Sequence, residues 1–239
     1  MNRAFQVFPD AHALATHVAR WLTGLAIAKD GPFAVALSGG TTPRVLYQTL
    51  SRPPFLNEFP WPRAHWFWGD ERFVPHSDPE SNFGMASQAM LSRAPVPLPQ
   101  IHAIPTAGVT PIEAAARYAR ELMTFYGSQS LLPSRPLFDL VLLGLGEDGH
   151  TASLFPGSPV LNERAHWTAV ADKEGQARIT LTYPALESCA NAAILVSGVS
   201  KRAILQRMRA GDLDLPAARY RPQGNLHVFT DREAAGCAA

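Results

Sequence analysis

The sequence is poor in the features that mark several large protein classes. It has two cysteines in 239 residues, Cys189 and Cys237, far apart and outside any C-x-x-C pair. That argues against a disulfide framework or a cysteine zinc site and fits a reducing, cytoplasmic setting. Charge of one sign is not in excess: 21 basic and 20 acidic residues leave a formal net charge of +1. Nucleic acid and membrane surfaces are therefore not expected partners, whereas a small anionic ligand needs only a few local cations. No window approaches the ~18 consecutive apolar residues of a membrane span, and Met1 to Asp10 lacks the basic-then-apolar order of a signal peptide. The motifs H-E-x-x-H, Gly-Lys-Ser/Thr and G-x-S-x-G are also missing, which removes the zincin helix, the Walker loop and the serine-nucleophile elbow. His12 and His17 lie on one predicted helix without ligand spacing. His65, His76, His102, His166 and His227 read as unclustered, so neither a metal nor a cofactor is expected.

What is present is ample apolar sequence, 46% of the chain, arranged in short runs that alternate with helical periodicity. Strands are predicted at Phe33–Leu37, His65–Trp68, Ile101–Ile104, Leu140–Leu143, Trp167–Ala171, Arg178–Leu181, Ala192–Val196 and Leu226–Phe229. Helices are predicted from His12 to Lys29, after Pro43, at Asn82–Leu91, at Pro111–Tyr126 behind an N-capping Thr110, and at Ser200–Arg209. Prolines gather in Arg52–Pro62, Ala94–Pro105 and Leu132–Pro136, which read as connecting loops. This alternation predicts an α/β fold with a mostly parallel sheet covered by helices on both faces. Residues 1–233 read as one domain and 234–239 as a loose C-terminal tail.

In open parallel sheets, ligands bind beyond the carboxyl ends of the strands, and three polar or glycine-rich loops leave predicted strand ends. The first, Ser38-Gly39-Gly40-Thr41-Thr42, can turn its N–H groups toward an anion at a helix N-terminus, with Pro43 at a position that needs no donor. It can equally be an ordinary turn capped by Thr42. The third, Gly144 to Gly149, spells G-x-G-x-x-G, but Glu147 and Asp148 inside it would repel a pyrophosphate. Its glycines are better suited to projecting Asp148 and His150 into a cleft. Histidine as a residue type titrates near neutrality, and His150 is the candidate general base, with Asp148 to orient it; the alternative is a helix cap. Arg72, in the Gly69–Arg72 loop, can polarise a carbonyl, bind an anion or form a surface ion pair. Arg178 and Lys201 are further basic residues near predicted strand ends.

Taken together these stretches resemble the 6-phosphogluconolactonases. The matching segments are Leu37–Pro43, Trp68–Pro75, Ser81-Asn82, Gly144–Pro156, Arg178–Thr182 and Ser197–Lys201, in the family's order and across nearly the whole chain. Thr41 stands where Ser is also common. The resemblance implies a Rossmann-like fold shared with glucosamine-6-phosphate deaminases. It implies hydrolysis of 6-phospho-D-glucono-1,5-lactone in the oxidative pentose phosphate pathway, by a cytoplasmic protein that is a monomer or weak homodimer. By the same analogy His150 is the base beside Asp148, and Arg72 positions the lactone. Arg178, Lys201 and the Ser38–Thr42 loop hold the phosphate. Two other readings share the fold: an amino-sugar phosphate deaminase or isomerase, which needs further acid–base groups, and a non-catalytic sugar-phosphate sensor, which would need a DNA-binding segment.

Overall fold

A computed structural model describes residues 3–237. Its main sheet has seven parallel strands. In chain order its members are β1 (Arg3–Phe8), β2 (Phe33–Leu37), β3 (Ala64–Trp68), β5 (Ile101–His102), β6 (Phe138–Gly144), β9 (Cys189–Val196) and β10 (Asn225–Asp231). The remaining strands, β4 (Asp70–Arg72), β7 (Thr168–Lys173) and β8 (Gln176–Leu181), form a small antiparallel sheet in the order β4-β8-β7. Every residue of β2 is buried. A strand with no solvated side must be covered on both faces, as the unbroken apolar run predicts.

The order across the main sheet is β1-β10-β9-β6-β2-β3-β5. From β2 the chain builds outward through β3 to β5, then returns to the other side of β2 as β6 and builds outward again through β9 and β10. The reversal leaves neighbouring connections diverging at the carboxyl ends of β2 and β6, where α/β proteins have their binding crevice.

Most predicted elements are present, with differences at the ends. The helix Pro111–Tyr126 begins at Thr110 as expected. Its side chain accepts from Glu113 N, Glu113 reaches back to Thr110 N, and Gly127 closes the helix at φ 73°. The strand β1 was not anticipated; it pairs with β10 along its whole length. The strands β7 and β8 do not enter the parallel sheet. The two-residue turn Glu174-Gly175 has φ of 56° and 84°, the geometry that folds a chain back on itself as a hairpin. No helix follows Gly149: the chain passes through tight turns, with Gly149 at φ 85° and Ala152 at φ 47°, so neither Asp148 nor His150 caps a helix. The expected tail is also corrected at its start. Ala234 is buried in the short helix Arg232–Ala235, whose first turn is held by Asp231 accepting from Ala234 N at 2.8 Å. Ala238 and Ala239 lie outside the described residues.

The histidines are less scattered than their sequence positions imply. His65 Nδ1 lies 3.0 Å from His102 Nε2, and His102 Nδ1 lies 2.7 Å from Glu121 Oε1, because β3 and β5 are adjacent. His17 and His227 both pack on Phe229, at ring distances of 5.4 and 5.5 Å. Among the described residues no group of three His, Cys, Asp or Glu is placed to hold a metal ion. None of the described helices is long and apolar enough to cross a membrane.

Burial depresses the pKa of His17, His65 and His227, each assisted by a neighbouring positive or titrating group. The unfolded chain therefore binds protons at these sites more readily than the folded one. Stability is expected to be fully present above the ordinary histidine value of about 6.5 and to fall as pH drops below it. Urea midpoints measured between pH 7.5 and 5.5 test this. His227→Phe, which also removes a buried, unpartnered Nδ1, should flatten the slope; an unchanged midpoint across the range would refute the account.

Candidate active site

The crevice at the β2/β6 reversal is an open cleft with a cavity volume of about 190 Å³. The loops after β2, β3, β6 and β9 all contribute to its wall: Ser38 to Pro43, Asp70, Gly144 to Gly146 with His150, and Leu195 to Ser197. Arg72 of β4, Arg178 of β8, Asn82 and Lys201 complete it. Of the residues singled out in the sequence, Ser38, Gly39, Gly40, Thr41, Thr42, Arg72, His150, Arg178 and Lys201 thus line one cavity. Asp148 stands directly behind His150.

Asp148 and His150 are joined by two bonds. Asp148 Oδ1 accepts from the His150 backbone N–H at 3.0 Å and lies 2.5 Å from His150 Nδ1. With Nδ1 engaged, Nε2 is the nitrogen left to exchange a proton. The loop achieves this by folding tightly: Gly146 N donates to His150 O at 2.8 Å, and Gly149 N to Gly146 O at 3.0 Å. Gly146 is indispensable to the arrangement. A Cβ there would lie 2.0 Å from His150 Nδ1 and 2.7 Å from Asp148 Oδ1. Burial holds the His150 pKa below the ordinary imidazole value, although Asp148 pulls it upward. Burial raises that of Asp148, but its bonds from His150 and the nearby Lys173 outweigh this and leave it below the usual carboxylate value. The imidazole is accordingly neutral and the carboxyl ionised at neutral pH.

The same cleft is rich in donors and cations. The helix Thr41–Leu50 starts at Gly40, at φ 102°, with no side-chain cap, so its first N–H groups are not used within the helix. Thr42 does not cap it; its Oγ1 lies 2.6 Å from Ser197 Oγ. Arg72 and Arg178 are direct cross-strand partners. Burial and the charge of Arg72 both lower the Arg178 pKa, and the Nε atoms of both arginines are buried without a partner. Two partly buried guanidinium groups side by side, each with a buried Nε that has no partner, repel one another, and an anion joining them would relieve this. Lys201 Nζ rests 3.9 Å from Glu147 Oε1.

Sequence reasoning missed the residues that hold these groups in place. Glu71 is fully buried with no cation. Its carboxylate accepts from Arg72 N, Asn82 N, Phe83 N and Ser81 Oγ, at 2.6 to 3.0 Å. Burial raises its pKa, partly opposed by these four donors. Asp70 accepts from Ser153 Oγ at 2.7 Å, and Asn82 Nδ2 donates to Asp70 O at 2.8 Å. Asn82 also sits against Gly39, where a Cβ would come within 1.9 Å of its Oδ1. Asp70, Glu71, Asn82, Ser153 and Ser197 all fall inside the segments noted above, and membership of those segments was the available signal. Lys173 had none.

The fold and cleft define an α/β protein that combines an anion cradle with a neutral imidazole backed by a carboxylate. Residues 9–228 match the family described as glucosamine-6-phosphate isomerases/6-phosphogluconolactonase. A 6-phosphogluconolactonase of Nostoc sp. is 40% identical over 98% of both chains. One of Synechocystis sp. is 42% identical over 87% of this chain and 86% of its own. The crystal structure of 6-phosphogluconolactonase from Thermotoga maritima superposes with a TM-score of 0.82 at 27% identity, covering 96% of this chain and 100% of that one. The chain belongs to the glucosamine-6-phosphate isomerase/6-phosphogluconolactonase family.

The geometry makes Gly146→Ala a specific probe. The ring of His150 has to move by about an ångström or more to admit the new methyl group, which breaks the Asp148 bond. In nuclear magnetic resonance spectra the downfield Nδ1–H signal of His150 should vanish while the dispersion of the remaining spectrum is kept. Survival of that signal in Gly146→Ala would contradict the packing described.

Proposed function

We infer that the chain is a 6-phosphogluconolactonase, hydrolysing 6-phospho-D-glucono-1,5-lactone to 6-phospho-D-gluconate in the oxidative pentose phosphate pathway. The observation that carries this is one cleft lined by His150, backed by Asp148, and by the Arg72–Arg178 pair, in a chain 40% identical to a 6-phosphogluconolactonase over nearly its full length.

A lactone is an activated ester, so water, a base and a stabiliser of the developing charge suffice. In this reading His150 Nε2 takes a proton from water as the water oxygen attacks the lactone carbonyl carbon. The imidazolium so formed is stabilised by Asp148, and it returns the proton to the ring oxygen as the ester bond breaks. No covalent intermediate is involved. The cysteine thiols offer no alternative nucleophile: Cys189 is buried, which raises its pKa to about 12, and Cys237 is outside the cleft. Their unpaired state suits a cytoplasmic protein.

The phosphate lies in the cationic part of the cleft, on Arg178, Lys201 and the N–H groups of the Ser38–Thr42 loop. The pairing of Arg72 with Arg178 extends the expected role of Arg72 from the lactone to the phosphate, since one dianion relieves the repulsion between both guanidinium groups. Binding there fixes the remote lactone carbon for attack.

His150→Ala is expected to lose about 10²–10⁴-fold in kcat while still binding substrate. Asp148→Asn should also be impaired. The wild-type acid limb should have its midpoint below the ordinary histidine value, because burial lowers the His150 pKa. Arg178→Ala or Lys201→Ala should raise KM by on the order of 10- to 100-fold, as each lost charge-assisted hydrogen bond is worth roughly 1.5–3 kcal/mol. The assay follows proton release from lactone generated in situ, with spontaneous hydrolysis subtracted at each pH. Near wild-type kcat in folded His150→Ala would require a different base.

A further inference from the structure

The β7–β8 hairpin brings two cations to the cleft region. Arg178 points into the cavity, whereas Lys173, the last residue of β7, is not part of its wall. Lys173 Nζ instead lies 3.9 Å from Asp148 Oδ2 and 5.1 Å from the centre of the Phe155 ring. That ring lies 4.8 Å from the imidazole of His150 and 5.7 Å from the guanidinium of Arg178. Lys173 is held there by a closed turn: Glu174 and Gly175 have positive φ, and Gly175 N donates to Asp172 Oδ1 at 2.9 Å. The two oxygens of Asp148 are therefore divided, Oδ1 to His150 and Oδ2 to Lys173.

We propose that Lys173 is a positioning residue for the Asp148–His150 pair, its ammonium holding the outer oxygen of Asp148 so that the inner one stays on Nδ1 and Nε2 faces the cleft. Asp148 is partly exposed, with 42% of its side chain accessible; His150 holds only Oδ1 through its backbone N–H and Nδ1, and Lys173 is the cation beside Oδ2. Lys173 also adds a positive charge beside an imidazole otherwise faced by the carboxylates of Asp148 and Asp70. Its charge opposes protonation of the ring and keeps the base available in mild acid. Phe155 serves as the common platform on which imidazole and ammonium are packed.

The proposal rests on the reading of His150 as base, and the test separates the two. Lys173→Met keeps the length of the side chain and removes its charge; Lys173→Arg keeps the charge. The pKa of His150 is measured by nuclear magnetic resonance titration, and kcat and KM are measured against pH with the phosphorylated lactone. In Lys173→Met the His150 pKa should rise by about half a unit. The acid limb of kcat should move up with it, the plateau kcat should fall several-fold, KM should stay within about twofold, and Lys173→Arg should restore both curves. A rise in the His150 pKa without movement of the acid limb supports the role of Lys173 and removes His150 as the base. An unchanged His150 pKa in a folded Lys173→Met protein overturns the proposal. So does a defect confined to KM, which would make Lys173 a substrate contact.

Discussion

The cleft depends on a topological constraint: the sheet reverses its direction of growth between β2 and β6. Two parallel strands that bond to each other, but whose following segments leave to opposite sides, cannot close the space above their carboxyl ends. In this chain that space receives the open N-terminus of the helix Thr41–Leu50 from one strand and the glycine loop carrying Asp148 and His150 from the other. Both loops are short and glycine-rich. A longer or bulkier connection at either place would fill the gap that the reversal leaves.

Around this gap the structure separates charge by function. Asp148 and His150 lie on the side of β6. Arg72 and Arg178 lie on the small antiparallel sheet, whose strand β4 follows β3 after a single residue, Gly69. The arginines are fixed from behind. Glu71 is buried under the same strand and uses its carboxylate to gather backbone donors from the segment Ser81–Phe83. A buried carboxylate held by neutral donors stabilises the loop without forming an ion pair with either guanidinium, although its charge, with those of Asp70 and Glu80, partly offsets the repulsion felt by Arg178. The positive charge of Arg72 therefore remains available to a ligand. Asp70 and Ser153 tie the β3 end to the loop beyond His150 in the same way, through one 2.7 Å hydrogen bond. The cationic and basic halves of the cleft are thus parts of one hydrogen-bonded frame.

The sequence by itself determined the local pieces. The short apolar run Phe33–Leu37, closed by a glycine-rich turn, reads as a buried strand, and Thr110 followed by Pro111 marks a helix start. The glycines of Gly144 to Gly149 let the chain turn sharply enough to project His150, and the order of the glycine-rich and charged segments pointed to the family and the cleft-lining residues. Tertiary structure decided what depends on neighbours distant in the chain. The strand β1 has little pattern of its own and exists because β10 offers it an edge. Arg178 and Arg72 became partners because β8 turns back on β7 at Glu174-Gly175 and reaches β4. His65 and His102 met because β3 and β5 lie side by side. Lys173 reached Asp148 for the same reason that Arg178 reached the cleft, since the hairpin places both at once. Periodicity reports which side of an element is buried, but it carries no information about which other element does the burying. Pairings fixed by sheet order and hairpin docking consequently appear only when the whole chain is packed.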